Sequence, residues 1–366
     1  MESLDIGLLS TCVITTPPRR YGGTESVVAD LAVALAKMGH DVTVYAVKGS
    51  KKAMDEYAGE KRLVNVVEWC EAVEDWAKKG VSEKVREVER QSFEKFRHVI
   101  ARHDVVNDHT WFKPSLCLKV SGKPTCTTYH GPYIEKTGVN IDKRCAIGVS
   151  KWHADYLTRV FRVKAEWAYN PIDIRRYEFQ REKEDFILFL ARISPEKGAL
   201  EFVKLARDLG VRGIVAGSTS VVPEDEYVSK VKELCESSNG LVKFVGEVDF
   251  TTKVDLLKRA KALVVPLSPS YWEAFGVVFV EAMACGTPVI TTDRGAPREV
   301  VMHGKTGYIC KPGDYEELKS VVSKLMKGEI TFDPYECRRR AEEFDRIRVA
   351  KRYLELYKRV LRGEEW

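Results

Sequence analysis

Residues 186–217 read FILFLARISPEKGALEFVKLARDLGVRGIVAG, and this stretch decides the fold. Its opening, Phe186–Leu190, is apolar throughout rather than alternating, which is typical of a central parallel strand buried on both faces. The spacing of apolar residues then predicts a helix over 199–209, and GIVAG predicts a second strand over 213–217. A strand, a helix and a strand in this order form a βαβ unit, so the sequence predicts a parallel sheet covered by helices.

The same alternation extends in both directions along the chain. Further strands and helices complete a doubly wound sheet within residues 180–310, and an earlier cycle begins with strands at 4–9 and 41–47 around a helix. Asn170-Pro171 interrupts regular secondary structure between the two cycles. We therefore predict an α/β protein with two Rossmann-like domains, 1–170 and 171–344, facing a cleft, followed by a charged helix over 345–366 that crosses back to the first domain. Ligands of such folds bind at the carboxyl ends of the strands.

Composition excludes several classes of protein. The 366 residues carry a net charge of +5, a weak excess that does not indicate a nucleic-acid partner. The N-terminus lacks a basic signal-peptide region, and no apolar run approaches the roughly 18 residues of a spanning helix, so we expect a cytoplasmic protein. The nine cysteines include no CxxC pair, which favours reduced, buried thiols over a zinc site. The basic residues of 338–362 indicate either a solvated helical face or a weak peripheral contact with anionic lipid.

The most informative chemical motif is SPSYWEAFGVVFVEAMACGTPVITT, residues 268–292. Glu273 precedes an expected helix and Glu281 lies about two turns inside it, so we expect one carboxylate on the loop and one on the helix, both directed at one ligand. The N–H groups of Gly276, Val277 and Val278 would open that helix and offer a seat for phosphate. Carboxylates beside phosphate are repelled, so the glutamates are expected to accept hydrogen bonds from sugar hydroxyls.

Two further turns carry candidate phosphate contacts. In LARISPEKG, Arg192 and Lys197 follow a strand directly, and two cations near a helix N-terminus suit a pyrophosphate. In PPRRYGGTE, residues 17–25, the Gly22-Gly23 pair permits close approach of backbone to a ligand. This turn matches neither GxGxxG nor the P-loop, so it is also interpretable as a simple turn.

Histidines follow two successive strands of the first domain. His109 stands in NDHTW and His130 in TYHGPY, beside Tyr129. Because both follow strand ends they are candidates for the cleft, although a single histidine is more often structural. Their spacing does not predict a metal site.

Taken in order, these motifs resemble retaining glycosyltransferases of family 4, which have the GT-B fold. The resemblance spans residues 5–360 and rests on PPRRYGGTE, TYHG, NPID, LARISPEKG, VAGS, FVGEV, SYWEAFGVVFVEAMACGTPVIT and GKTGYIC. It implies transfer of a hexose from a nucleotide-diphosphate sugar, with retention of the anomeric configuration, to an acceptor (small molecule, glycan or lipid) that the sequence does not identify. It implies no cofactor and no metal. A nucleotide-sugar epimerase on the same fold, or a non-catalytic nucleotide-sugar-binding protein, remains an alternative.

The resemblance also implies roles for individual residues. Glu281 would bind the ribose hydroxyls, Glu273 the donor sugar, and Arg192 and Lys197 the diphosphate. His130 would lie near the reacting centre, whereas NDHTW carries only His109 where many relatives have further histidines. The remaining implied donor contacts are Gly23 at the phosphates, Val245 and Gly246 beside the base, and the backbone of Phe275, Gly276, Val277 and Val278 against sugar and phosphate. His109 and Tyr129 are the candidates for the acceptor side.

Overall fold

A computed structural model describes residues 2–20, 22–75, 81–115, 122–131, 145–219 and 226–366. The chain divides into two compact units, one of residues 1–172 with 345–366 and one of residues 173–344. The sequence prediction set the corresponding boundaries at 170/171 and 344/345. Each unit contains one parallel sheet with flanking helices, which confirms the predicted α/β fold class.

Unit 1 is built on a seven-stranded sheet in the order β3-β2-β1-β4-β5-β6-β7, with every pair parallel. Its strands are β1 (Asp5–Leu9), β2 (Asp41–Val47), β3 (Asn65–Cys70), β4 (Val105–Asp108), β5 (Thr125–Tyr129), β6 (Ala146–Gly148) and β7 (Ala165–Trp167). Among its described residues, the helices are α1 (Gly23–Lys37), α2 (Ser50–Ala58), α3 (Ser82–Ile100) and α4 (Lys151–Phe161). The half-exposed edge strand β3 and the three-residue β7 were not predicted, since neither carries a buried apolar run.

Unit 2 is built on a six-stranded sheet in the order β10-β9-β8-β11-β12-β13, also parallel throughout. Its strands are β8 (Phe186–Leu190), β9 (Arg212–Ala216), β10 (Val242–Gly246), β11 (Ala262–Val265), β12 (Val289–Thr292) and β13 (Gly307–Cys310). Outside residues 220–225, its helices are α5 (Ala199–Leu209), α6 (Glu226–Glu236), α7 (Phe250–Arg259), α8 (Val277–Ala284), α9 (Pro297–Val300), α10 (Tyr315–Met326) and α11 (Pro334–Glu342). All five residues of β8 are buried, as expected of a central strand.

The last helix, α12 (Arg346–Leu361), packs within unit 1. Tyr353, Leu356 and Tyr357 lie in the same apolar core as the inner face of α1. Arg346, at the first turn of α12, forms a buried ion pair with Asp30 of α1 at 3.2 Å. The final stretch of sequence therefore completes the core that the first strand begins.

Strand order reverses between β1 and β4 in unit 1, and between β8 and β11 in unit 2. At such a switch point the connections that leave neighbouring strands turn to opposite faces of the sheet, which leaves a crevice at the carboxyl edge. The segments after β1, β4, β8 and β11 are therefore the places where each unit is expected to bind ligands.

Candidate functional site

Lys197 and Glu273 form an ion pair at the switch point of unit 2. Lys197 ends a short 3₁₀ turn, Pro195–Lys197, that follows β8, and Glu273 lies in the connection that follows β11. Their side chains are 12% and 14% exposed, and the Lys197 ammonium also contacts the hydroxyl of Tyr271 at 3.2 Å. Two predicted residues, 76 positions apart, are thus brought into direct contact.

The backbone fixes the position of Glu273. Its N–H donates to the carbonyl of Arg294 at 2.9 Å, and its own carbonyl accepts from the N–H of Ala296 at 2.8 Å. Gly295 lies between these two partners at φ +94°, and a Cβ there would come within 2.2 Å of the Glu273 carbonyl oxygen. Only glycine permits this approach, so the carboxylate stands on a constrained loop.

Helix α8 begins at Val277, with Gly276 as its N-terminal cap at φ +86°. Glu273 is therefore on the loop and Glu281 on the helix, as predicted. Phe275 is 1% exposed and packs edge-on against Phe344, so only its backbone is available to a ligand. Val277 and Val278 are half-buried in the first turn, where helix N–H groups lack intrahelical acceptors.

Glu281 accepts two hydrogen bonds on one carboxylate oxygen. Lys253 of α7 donates at 2.6 Å and the hydroxyl of Tyr177 donates at 2.7 Å. Neither partner was predicted, because Tyr177 is 104 positions away and Lys253 is one of many helical lysines. Both bonds end on Oε1, and within the described part of unit 2 the other oxygen, Oε2, accepts none, which leaves acceptor capacity on Glu281.

The remaining predicted donor residues lie at two further strand ends. Val245, near the end of β10, is 45% exposed, an unusual position for an apolar strand residue. Gly246 follows at φ +69°, and its carbonyl accepts from the N–H of Gly217 after β9 at 2.8 Å. Arg192 is half-buried directly after β8, and its carbonyl accepts from the N–H of Ser194 at 3.0 Å.

His109 and His130 meet at the switch point of unit 1. The Nδ1 of His109 and the Nε2 of His130 are 2.9 Å apart, and the N–H of His109 donates to Leu9 of β1. The nearby Lys113 is 3% exposed, and its ammonium donates to the carbonyls of Asp108, Thr110 and Thr128. Lys113 thereby joins the ends of β4 and β5, the strands that present the two histidines. It was not predicted.

Burial keeps this histidine cluster neutral. Loss of water around the rings lowers the pKa of His109 and of His130 well below the usual value, and the charge of Lys113 lowers both further. His153 of α4 also lowers the pKa of His130, and burial lowers the pKa of His153 itself to about 3. Burial lowers the pKa of Lys113 to about 8. At neutral pH the imidazoles are therefore uncharged hydrogen-bonding groups.

Two other predicted residues differ from their expected setting. Tyr129 is 3% exposed and packs among Ala146, Leu157 and Val163, so it belongs to the core and does not line an open surface. Gly23 is the first residue of α1, and a Cβ there would meet nothing within 4 Å. Gly22, at φ +158°, is the position where a Cβ would collide, 2.6 Å from Ile14.

Many basic residues of the C-terminal region are paired. Arg352 and Arg359 both bridge to Glu166, and Arg362 bridges to Glu364. The described part of the chain contains no helix with both the length and the apolar character to cross a membrane. In the same ranges, His, Cys, Asp and Glu side chains do not gather in groups of three that would hold a metal ion.

Comparison with known proteins follows the division into two units. A sequence model described as Glycosyl transferases group 1 matches residues 172–346, and one described as Glycosyltransferase Family 4 matches residues 21–176. The glycogen synthase of Mycobacterium tuberculosis is 30% identical over 212 residues, which cover 53% of this chain and 48% of that protein. The matched stretch thus spans about half the length of this curated relative.

Two solved structures resemble the whole chain. AviGT4, a glycosyltransferase involved in avilamycin A biosynthesis, matches with a TM-score of 0.72 and 24% identity, covering 99% of both chains. Anabaena Alr3699/HepE in complex with UDP and glucose matches with a TM-score of 0.74 and 17% identity, covering 97% of this chain and 99% of that one. The two parallel sheets and these likenesses define a protein with the GT-B fold. With both family models matched in order along the chain, the protein belongs to glycosyltransferase family 4.

Proposed function

We propose that this protein transfers a hexose from a nucleotide-diphosphate sugar to a hydroxyl acceptor, with retention of the anomeric configuration. The observation that carries the proposal is the Lys197–Glu273 ion pair at the β8/β11 switch point. It holds an ammonium and a carboxylate in one place, and a sugar diphosphate needs both: a cation for the leaving phosphate and an acceptor for sugar hydroxyls.

The surroundings of the pair support a diphosphate ligand. Lys197 lies two residues before the N-terminus of α5, and Glu273 lies four residues before the N-terminus of α8. Two helix N-termini add partial positive charge for phosphate. Together with Arg192, these helix N-termini would stabilise the negative charge that develops on the diphosphate as its bond to the anomeric carbon breaks. Fixed charges and dipoles of this kind are usually the largest contribution to catalysis. We expect transfer without a bound metal for this reason.

The nucleoside is assigned to the residues around α7 and α8. Glu281 is held by Lys253 and Tyr177 and retains acceptor capacity for the ribose hydroxyls. The exposed Val245 offers an apolar surface for a base. That Anabaena Alr3699/HepE has been solved with UDP and glucose makes uridine the first nucleotide to test.

The histidine pair of unit 1 is assigned to the acceptor. A neutral His130 donates or accepts a hydrogen bond without adding charge, and its contact with His109 fixes the ring. In the reaction we propose, the acceptor oxygen attacks the same face of the sugar that the diphosphate leaves. A leaving phosphate oxygen takes the acceptor proton, so no second carboxylate is required.

The first experiment is a panel of UDP-, GDP- and ADP-linked glucose, galactose, mannose and N-acetylglucosamine. Thermal stabilisation measures binding, and slow hydrolysis of the donor measures chemistry without an acceptor. A ligand at a hundred times its dissociation constant stabilises by about 2.7 kcal/mol. For the donor that is hydrolysed, NMR of the released sugar before mutarotation distinguishes retention from inversion.

Lys197→Met is the decisive variant, and Lys204→Met is its matched control. Lys204 is an exposed lysine on α5 whose ammonium lies 4.6 Å from the ring centre of Tyr315. Loss of one charge-assisted contact to the leaving group raises the barrier by about 2–4 kcal/mol, or roughly 30- to 1,000-fold in rate. Equal hydrolysis by the Lys197→Met and Lys204→Met variants would refute the phosphate assignment, and stabilisation by a donor without any turnover would favour a binding protein.

A further inference from the structure

Cys12 and Cys70 approach each other in unit 1. Their Sγ atoms are 3.1 Å apart, although the residues are 58 positions apart in the sequence. Cys12 follows β1 and is fully buried, whereas Cys70 ends β3 and is half-buried. The sequence predicts reduced, buried thiols and contains no CxxC pair, so this contact is a product of the tertiary structure.

The backbone on both sides holds the two thiols in place. The N–H of Val73, three residues after Cys70, donates to the carbonyl of Cys12 at 2.9 Å. The N–H of Lys48 donates to the carbonyl of Cys70 at 2.8 Å, which ties the end of β3 to β2. Both side chains belong to one apolar cluster with Trp69 and Phe93. The sulfurs thus meet because two strand ends are fixed, and not through a flexible loop.

From this geometry we propose that Cys12 and Cys70 are a dithiol modification site that a low-molecular-weight disulfide converts to an intramolecular disulfide. The S–S bond needs about 2.05 Å, so the sulfurs must move together by about 1 Å, which side-chain rotation can supply. The crosslink joins the β1–α1 connection, which ends at Gly22, to the end of β3.

The reaction balances as two thiol–disulfide exchanges. The Cys70 thiolate attacks one sulfur of the reagent RSSR, forms a mixed disulfide and releases RS⁻. Cys12 then attacks the Cys70 sulfur and releases a second RS⁻. Two protein thiols are oxidised by two electrons, one RSSR is reduced, and the two thiol protons pass to the two RS⁻ ions.

The local environment favours Cys70 as the attacking group. Cys70 is the more exposed of the two residues, and the hydrogen bond between the two thiols lowers the pKa of Cys70, although burial opposes this. The same hydrogen bond, together with burial, raises the pKa of Cys12, so Cys12 is the resolving thiol. Of the neighbouring groups, Ser92 of α3 lowers the pKa of Cys70, while Glu89 of α3 and Glu71 oppose ionisation.

The test uses the full-length protein and oxidised glutathione as the reagent. After incubation at mildly alkaline pH, the protein is alkylated, digested without reduction and analysed by mass spectrometry. We expect a crosslinked peptide pair containing Cys12 and Cys70, a loss of two hydrogen atoms from the intact mass, and full reversal by dithiothreitol. Because the crosslink closes a long loop, we also expect the Tm of unit 1 to rise by on the order of 5–10 °C.

Cys70→Ser and Cys12→Ala are the test variants, and Cys235→Ala, in unit 2, is the matched control. Cys70→Ser should abolish both the crosslink and the reagent adduct, whereas Cys12→Ala should accumulate a stable glutathione adduct on Cys70. The control should crosslink like the parent. Wild-type protein that keeps a glutathione adduct on Cys70 without crosslinking, pairs either cysteine elsewhere, or remains fully reduced would overturn the proposal.

Discussion

Replacing Lys253 by methionine tests how Glu281 is held. Lys253 and Glu281 are joined at 2.6 Å, with side chains 24% and 10% exposed. Glu281 accepts from Lys253 and from the hydroxyl of Tyr177, and in the Lys253→Met variant only the Tyr177 bond of these two remains. A nearly buried carboxylate that loses its cation is destabilised, whereas a partly exposed lysine that loses its carboxylate can turn to water.

The expected magnitude lies between two limits. Exposed ion pairs contribute about 0–1 kcal/mol, and breaking a fully buried pair costs about 3–5 kcal/mol. With this partial exposure, we expect the Lys253→Met variant to lower the stability of unit 2 by about 2 kcal/mol and the Glu281→Gln variant by about 1 kcal/mol. The double variant should lose little more than the Glu281→Gln variant alone, which gives a coupling energy of about 1.5 kcal/mol.

The assay is a double-mutant cycle in which urea unfolding gives the stability of each variant. Hydrogen exchange of peptides from α7 and α8 shows that the change belongs to unit 2. Lys258 and Glu178 supply the control cycle, since Lys258 is on the same helix but Glu178 is 69% exposed. That cycle should give a much smaller coupling, since water screens an exposed ion pair. If the Lys253 and Glu281 effects add to within about 0.5 kcal/mol, the pair is not coupled and our account of how Glu281 is positioned is wrong.

Three further predictions concern the two units. Gly295→Ala should displace the loop that carries the candidate carboxylate and reduce donor hydrolysis at least about tenfold. Gly304 is also at positive φ, but a Cβ added there would meet nothing within 4 Å, so Gly304→Ala should cost only about 1 kcal/mol in urea unfolding. Burial lowers the pKa of His153 to about 3, so between about pH 7.5 and 5 only the unfolded chain takes up this proton and unit 1 loses about 2 kcal/mol of stability. The His153→Asn variant should lose about 2 kcal/mol less than the parent over this pH range, and an unchanged pH slope would contradict this. Arg346→Met should destabilise unit 1 by about 3–5 kcal/mol, whereas the exposed Arg348→Met should have little effect, and equal urea midpoints would show that the buried ion pair is not structural.

The local pattern of the sequence was sufficient to predict most secondary structure. The strand Asp41–Val47 and the helix over 199–209 have the predicted bounds, since period-2 and period-3.6 patterns report directly on which side chains are buried. The same patterns put Glu273 on a loop and Glu281 on a helix. Strands β3 and β7 escaped prediction because edge positions need not be apolar.

Contacts between distant residues were decided by the tertiary structure. Lys253 of α7 and Tyr177 converge on Glu281 of α8, and Cys12 after β1 meets Cys70 at the end of β3, because the sheet order sets which helices and connections become neighbours. Lys113 is one of many lysines in the sequence, and only the adjacency of β4 and β5 gives its ammonium three carbonyl acceptors. Periodicity records whether a side chain is buried, but it carries no information about which partner it meets across the sheet. The sequence by itself therefore determined the fold class, the family and the candidate donor residues, and the sheet order decided their partners and charge environment.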